Sequence, residues 1–318
     1  MPGFVTHYLF GVNSYKSLKN NNLKDIIKNN RRVFGLGLQG PDLFFYFIPA
    51  TVGMKVNIGN IMHKEKTNDF FHEMIKYVSE IHSETDYEIA CAYIHGFMGH
   101  YLLDTSMHPY VYGRVGTSTS QKTMGKHYGL ETDIDRELLW HYKHMRQADF
   151  SHSEKISLTS YEMNVIAKLL HKTIYRTYHK DISVKLIKYA IVSFYMECVM
   201  LSDSTELKYK AINGFEHHVF GYDILSPLLI NDIPHTDDPC NEQHKEWHNP
   251  WDDTHSDNAS VYDIFKKAGE RYTQYMNIMQ TALDSSYHLL DDNSSEILDK
   301  LENKSYTSGL DCSVILKR

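Results

Sequence analysis

The chain reads as all-α, one large domain of many helices. Apolar residues recur at three- and four-residue intervals along most of its length, strand-like alternation is nearly absent, and short turn signals separate the helical runs. At 318 residues it is long enough to bury a sizeable core, and no Pro/Gly/Ser-rich or charge block divides it. We expect residues 1–290 to form the domain. Residues 291–318, polar from "DDNSSEILDK" to "SVILKR", should form a C-terminal helix and tail.

Taken in order, "SYKSLKNNNLKDIIKN" is the first periodic stretch, and the turn "QGPD" follows it. "TNDFFHEMIKYVSEIHS" comes next, then "DYEIACAYIHGFMGHYLLD", which is apolar enough to lie in the core. After "GRVGTSTSQ" come "DIDRELLWHYKHM", "SYEMNVIAKLLHKTIYRTY" and "VKLIKYAIVSFYMECVMLS". "SVYDIFKKAGERYTQYMNIMQTALDSSY" closes the helical set beyond the turns "NDIPHTDDP" and "HNPWDD". The 23 tyrosines are expected mostly in helix packing, as are "DLFFYFI" and the tryptophans of "EWHNPWDD", Trp247 and Trp251. The alternative for these aromatic runs is a pocket lining or a lipid contact.

Charge argues against one class. With 33 basic against 40 acidic residues, net −7, the chain has no electrostatic footprint for dedicated nucleic-acid binding. Cys91, Cys198, Cys240 and Cys312 are far apart and form no CxxC pair, which argues against a disulfide framework or a thiolate zinc site. No apolar run reaches transmembrane length, and "MPGFVTHYLFG" lacks a basic n-region, so the expected location is cytoplasmic, with peripheral membrane contact possible.

The twenty histidines direct attention to ligand spacing. In "GHYLLDTSMHPYV", His100 and Asp104 are four residues apart, a rotation of about 400°, so both project from nearly one helix face. His108 lies about 12 Å of helical rise beyond His100, too far to share a single ion with it. Pro109 disfavours the α conformation at His108, so the helix is expected to end there and release His108 toward another element. "KHYGLETDID" supplies that element, because His127 and Glu131 repeat the four-residue spacing. His108, His127 and Glu131 then form a three-ligand site with an open position, the way catalytic zinc is held.

The first site needs more donors. His7, Asp42 and His63 are candidates, but residue spacing alone does not choose among them. Taken singly, Asp42 reads as a helix N-cap, His63 as a surface residue, and HxxxD as a histidine paired with a carboxylate. His72, His82, His141, His144, His171 and His179 read as solvated.

Together, "PGFVTH", "GLGLQGPDLFFY", "GNIMHKEKT", "AYIHGFMGHYLLDTSMHPYV" and "HYGLETDID" resemble the zinc-dependent phospholipase C family. The resemblance covers roughly the first 140 residues, within the branch containing the catalytic domain of glycosylphosphatidylinositol-specific phospholipase D; the S1/P1 nucleases are distant relatives. It implies a single multi-helix domain of the zinc-dependent phospholipase C / P1 nuclease type, holding two or three Zn2+ ions. Asp42, His63, His100 and Asp104 would surround one ion, and His108, His127 and Glu131 a second. A third ion would take the N-terminal amine and carbonyl, His7 and a bridging Asp104. Such relatives begin at an exposed mature residue, often Trp, whereas this chain begins with Met1; Pro2 permits removal of Met1, which would make His7 the sixth residue.

The activity so implied is hydrolysis of a phospholipid head-group diester, of phospholipase C or D type, by metal-activated water. Asp42 is the residue expected to orient or deprotonate that water. The head-group contacts of the secreted phospholipases do not carry over, because Leu43 follows Asp42 where an aromatic is expected. The alternatives are an S1/P1-like nuclease or nucleotide phosphodiesterase, and a non-catalytic, metal-stabilised helical protein.

Overall fold

The computed structural model describes residues 3–45, 57–252, 254, 256–290 and 293–314. In chain order its helices are α1 (Phe4–Ser17), α2 (Asn21–Asn29), α3 (Arg31–Gly37), α4 (Ile58–Met62), α5 (Thr67–Val78), α6 (Glu84–Val115) and α7 (Gln121–Lys143). They continue as α8 (His152–Lys155), α9 (Ser160–Tyr178), α10 (Val184–Leu201), α11 (Leu207–Val219), α12 (Val261–Tyr287) and α13 (Ser294–Leu301). A 3-10 turn spans Gly40–Phe44, and the one sheet among the described residues is the antiparallel pair β1 (Trp247–His248) and β2 (Ser256–Asp257). The all-α expectation holds.

Side-chain caps mark several helix starts. Thr159 with Glu162 and Ser260 with Asp263 form reciprocal capping boxes that open α9 and α12, while Ser83 and Ser120 accept backbone N–H groups at the starts of α6 and α7. The stretch "SYKSLKNNNLKDIIKN" is not one helix. Its periodicity spans a break in which Leu18 is buried and Asn20 accepts from Leu23 N at 3.1 Å, starting α2.

Helix α6 is the central strut, buried on nearly every side and packed between α3 and α12, with α9, α1 and α7 around it. Its crossing with α3 is backbone against backbone. A Cβ on Gly37 would lie 2.4 Å from Tyr93 O, and one on Gly96 would lie 2.4 Å from Phe34 O. That approach brings the segment after α3 onto α6.

The expected helix end at His108 is not found, because α6 runs through Pro109 to Val115. Proline removes the donor that would serve the Thr105 carbonyl, a local cost of about 3 kcal/mol in a helix interior. Tertiary packing offsets it: Met107, Tyr110 and Val111 have no exposed surface, and the Tyr110 hydroxyl donates to Pro239 O at 2.6 Å. The C-terminal segment fills the notch, with Gly309 so close that a Cβ there would lie 2.5 Å from Thr105 O.

Helix α1 is locked to α7. Asp135 accepts from Val5 N at 3.0 Å, Thr6 N at 2.8 Å and Thr6 Oγ1 at 2.6 Å, capping the otherwise unsatisfied N–H groups at the start of α1. Helix α13 packs on α12 and α5, and the chain beyond it returns to the interior, where Tyr306 is buried and its N–H donates to His63 O at 2.9 Å.

Candidate metal centre

Five elements converge on one buried locus. Helix α6 contributes His100, Asp104 and His108; α7 contributes His127 and Glu131; α1 contributes His7; the C-cap of α4 is His63; and the 3-10 turn carries Asp42. All eight side chains are buried. The local reading of Asp42 as an N-cap and of His63 as a surface residue is therefore corrected. Gln39 precedes the 3-10 turn, Asp42 N–H donates to Gln39 O, and the Asp42 carboxylate faces His63. His63 is 4% exposed because Tyr306 and Ser305 close over it.

Asp104 is the hub. Its Oδ1 lies 3.1 Å from His7 Nε2, and its Oδ2 lies 3.1 Å from His100 Nε2 and 3.8 Å from His63 Nε2. Asp42 Oδ1 approaches His63 Nε2 at 3.1 Å and His100 Nε2 at 3.7 Å. Glu131 Oε1 lies 2.7 Å from His127 Nε2 and 3.9 Å from His108 Nε2. Potential ligand atoms fall into three groups, each within 4.8 Å: His7, His100 and Asp104; Asp42, His63 and His100; and His108, His127 and Glu131. His100 and His108 fall in different groups, as the helical rise requires.

Three imidazoles are oriented by the backbone. Nδ1 of His63 meets Gly59 O at 2.7 Å, Nδ1 of His100 meets Leu38 O at 3.2 Å, and Nδ1 of His108 meets Tyr306 O at 2.6 Å. A carbonyl can only accept, so in the neutral ring the proton sits on Nδ1 and the lone pair on Nε2 points into the locus. The Nε2 atoms of His7, His63, His100 and His108, with Asp42 Oδ1 and both Asp104 oxygens, are buried and make no hydrogen bond among the described residues. Unsatisfied lone pairs converging on one point are costly without a cation, and a set of imidazoles and carboxylates suits zinc.

The electrostatics agree. Burial lowers the pKa of His7 and His63 to about 4 and of His108 to about 3, and takes His127 well below the usual imidazole range, so each ring is held neutral, the form that binds metal. Burial raises Asp42 to about 7. Burial also pushes Asp104 upward, but His100, His108 and His7 outweigh it and hold its carboxyl well below the ordinary value.

The locus opens into a cleft of about 1150 Å³. Asp42, His63, His108, His127 and Glu131 line it, whereas His7, His100 and Asp104 lie behind the wall. Lys64 is the one Lys or Arg among its described lining residues. Trp251 lines it too, standing 4.9 Å from Tyr112, while Trp247 is core packing against Tyr110 with its indole N–H donating to Ala259 O. Tyr46, Phe47 and Ile48 of "DLFFYFI" lie outside the described residues. The six histidines read as solvated are all at least partly exposed.

Sequence reasoning missed the groups that orient the cluster. Asp135 continues the four-residue spacing of His127 and Glu131 by one more turn, and that repeat was a usable signal. The Tyr306, Leu38 and Gly59 carbonyls gave none, since every residue has one.

The model of the family described as zinc dependent phospholipase C matches residues 6–205, a span containing all eight clustered residues. No curated protein and no solved structure matches. With a metal-competent cluster at the mouth of a cleft and a family match over more than half its length, this chain belongs to the zinc dependent phospholipase C family.

Proposed function

We propose that the chain is a zinc-dependent phosphodiesterase that hydrolyses a phospholipid head-group diester with water as the nucleophile. The arrangement that carries this reading is the set of buried Nε2 and carboxylate lone pairs, aimed inward by backbone acceptors at the edge of a large cleft. Asp42, His63, His100 and Asp104 would hold one ion, and His108, His127 and Glu131 a second. His7 and Asp104 would hold a third with the terminal amine; Met1 and Pro2 lie outside the described residues. Zinc, when bound, polarises phosphoryl oxygens and lowers the pKa of water.

Asp42 orients the attacking water and takes its proton as the new O–P bond forms and the ester P–O bond breaks, and the departing oxygen takes up a proton from water in the cleft and leaves as the alcohol. Asp42 lines the cleft, whereas Asp104 is sealed behind the imidazoles with no exposed surface. Phe4, Phe194, Leu228 and Ile230 give the cleft an apolar wall for the lipid part of the substrate, and Lys64, which also lines the cleft, would meet the diester's charge. Hydrolysis of nucleic-acid strands fits this cleft less well, because a strand-tracking groove carries several cations and this one offers Lys64 alone among its described lining residues. No helix among the described residues is long and apolar enough to cross a membrane.

The test is elemental analysis of the purified chain, followed by hydrolysis of phospholipid vesicles and single-stranded DNA side by side, with zinc and with a chelator. Two or three equivalents of zinc and chelator-sensitive lipid cleavage are expected. DNA cleavage without lipid cleavage would replace the substrate, and inactivity on both in zinc-replete protein would leave a metal-stabilised helical protein.

A further inference from the structure

Among the described residues, eighteen large apolar side chains are exposed, and eleven of them fall between Tyr189 and Leu225. On α10 they form one stripe. Tyr189, Val192, Met196, Val199 and Met200 follow at three- and four-residue spacing and are 43–66% exposed. The other side of the same helix presents Phe194, Glu197, Cys198 and Leu201 to the cleft. Helix α10 is thus apolar toward both the interior and solvent, although an exposed helix ordinarily turns polar residues outward.

Helix α11 continues the pattern. Glu216 is its only buried residue, accepting from Ile224, Leu225 and Ser226 N–H groups to hold α11 to the body, while Leu207, Ile212, Phe215 and Val219 are exposed. The outward stripe of α10 carries no carboxylate. Its charges are Lys185, which lies over the Tyr189 ring, and the neighbouring Lys188.

We infer that the outer stripe of α10, extended by α11, is the surface on which this protein docks to a phospholipid bilayer, lying in the interface plane beside the cleft. An interfacial helix buries its apolar side chains at the head-group boundary, with Tyr and Lys at the level of the phosphates; this stripe has those residue types and lacks the acidic ones that phosphates would repel. A second copy of the chain would be the other apolar occupant. The bilayer is favoured because the helix that would dock is itself a wall of the cleft, so docking sets lipid molecules at its mouth. This inference rests on the phospholipid reading of the site.

The test is co-sedimentation of the zinc-replete full chain with phosphatidylcholine vesicles, with and without phosphatidylserine. The variants are Met196→Glu combined with Met200→Glu, and Leu290→Glu as a control exposed elsewhere. Vesicle affinity should fall by about tenfold or more in the double variant at unchanged melting temperature, and Leu290→Glu should bind like the parent. The double variant should also lose hydrolysis of vesicle lipid relative to hydrolysis of a water-soluble short-chain lipid. A parent chain that does not bind vesicles, a double variant that still binds, or a control that loses as much would overturn the inference. A dimer that the double variant dissociates, without vesicle binding, would assign the stripe to a second copy. Vesicle binding without lipid hydrolysis would keep the docking surface and remove the hydrolase reading; hydrolysis of short-chain lipid without vesicle binding would do the reverse.

Discussion

His95 and His100 lie five residues apart on α6, both without exposed surface, and the protein treats them differently. His95 Nε2 meets Gln280 Oε1 at 3.0 Å. Gln280 donates in turn to Tyr87 and Asp284, which closes a network of side chains around one carboxylate. His100 turns Nδ1 to the Leu38 carbonyl and leaves Nε2 facing Asp104 and Asp42. Burial does not separate these histidines. What separates them is which nitrogen the protein consumes, and whether carboxylates gather at the other: His95, fixed by a side-chain amide, ties α6 to α12, whereas His100, fixed by a backbone carbonyl with two carboxylates before its other nitrogen, offers its lone pair to a cation.

The largest effect should come from removing the hub. Asp104→Ala takes away the carboxylate that faces His7, His63 and His100, so at least one equivalent of zinc should be lost and hydrolysis should drop by more than about 10⁴, beyond the range of general-base removal. Unchanged zinc content would mean that these imidazoles are no more a metal site than His95. Asp42→Asn sharpens the contrast within the cluster. Most of the zinc should remain while turnover falls by about 10²–10⁴, the range of general-base removal, and full activity would take Asp42 out of the reaction.

A packing change should reach the centre without touching a candidate ligand. Gly96→Ala places a methyl 2.4 Å from Phe34 O, so α3 must retreat from α6, carrying the Leu38 carbonyl away from His100. Zinc affinity, read by chelator competition, should weaken by about 10–100-fold. An unaltered affinity would show that the Leu38 contact does not orient His100.

The smallest effect tests the structural histidine. Burial lowers the pKa of His95 to about 4, so on unfolding it takes up a proton near pH 6.5 that the folded chain refuses until about pH 4. Stability of the chelator-treated chain should therefore fall as pH drops from 6.5 to 4, with His95 contributing up to about 1.4 kcal/mol per pH unit. His95→Gln should flatten that slope by one proton and leave zinc content unchanged. Equal slopes in the two proteins would mean that His95 is not held neutral by burial.

The HxxxD and HxxxE spacings were legible because helical rotation is local, and a four-residue repeat places two donors on one face whatever surrounds the helix. Asp42 and His63 were not legible singly, since a buried ligand and a cap or surface residue share the same local sequence. Helix α1 escaped the periodic reading because its buried face includes Thr6, His7, Gly11 and Ser14, so it shows no clean apolar stripe. The site's dependence on Tyr306 could not be read either, because that residue lies 198 positions from the His108 it orients.

By itself, then, the order of amino acids determined the helical class, the donor types and their pairing along α6 and α7, all consequences of a rise of about 1.5 Å per residue. Tertiary structure alone decided that α6 would pass through Pro109, that glycines at the α3–α6 crossing would bring Leu38 to His100, and that the returning C-terminal segment would aim His108. Those outcomes depend on contacts between distant segments, where burying apolar surface outweighs a local preference to end a helix or expose a histidine.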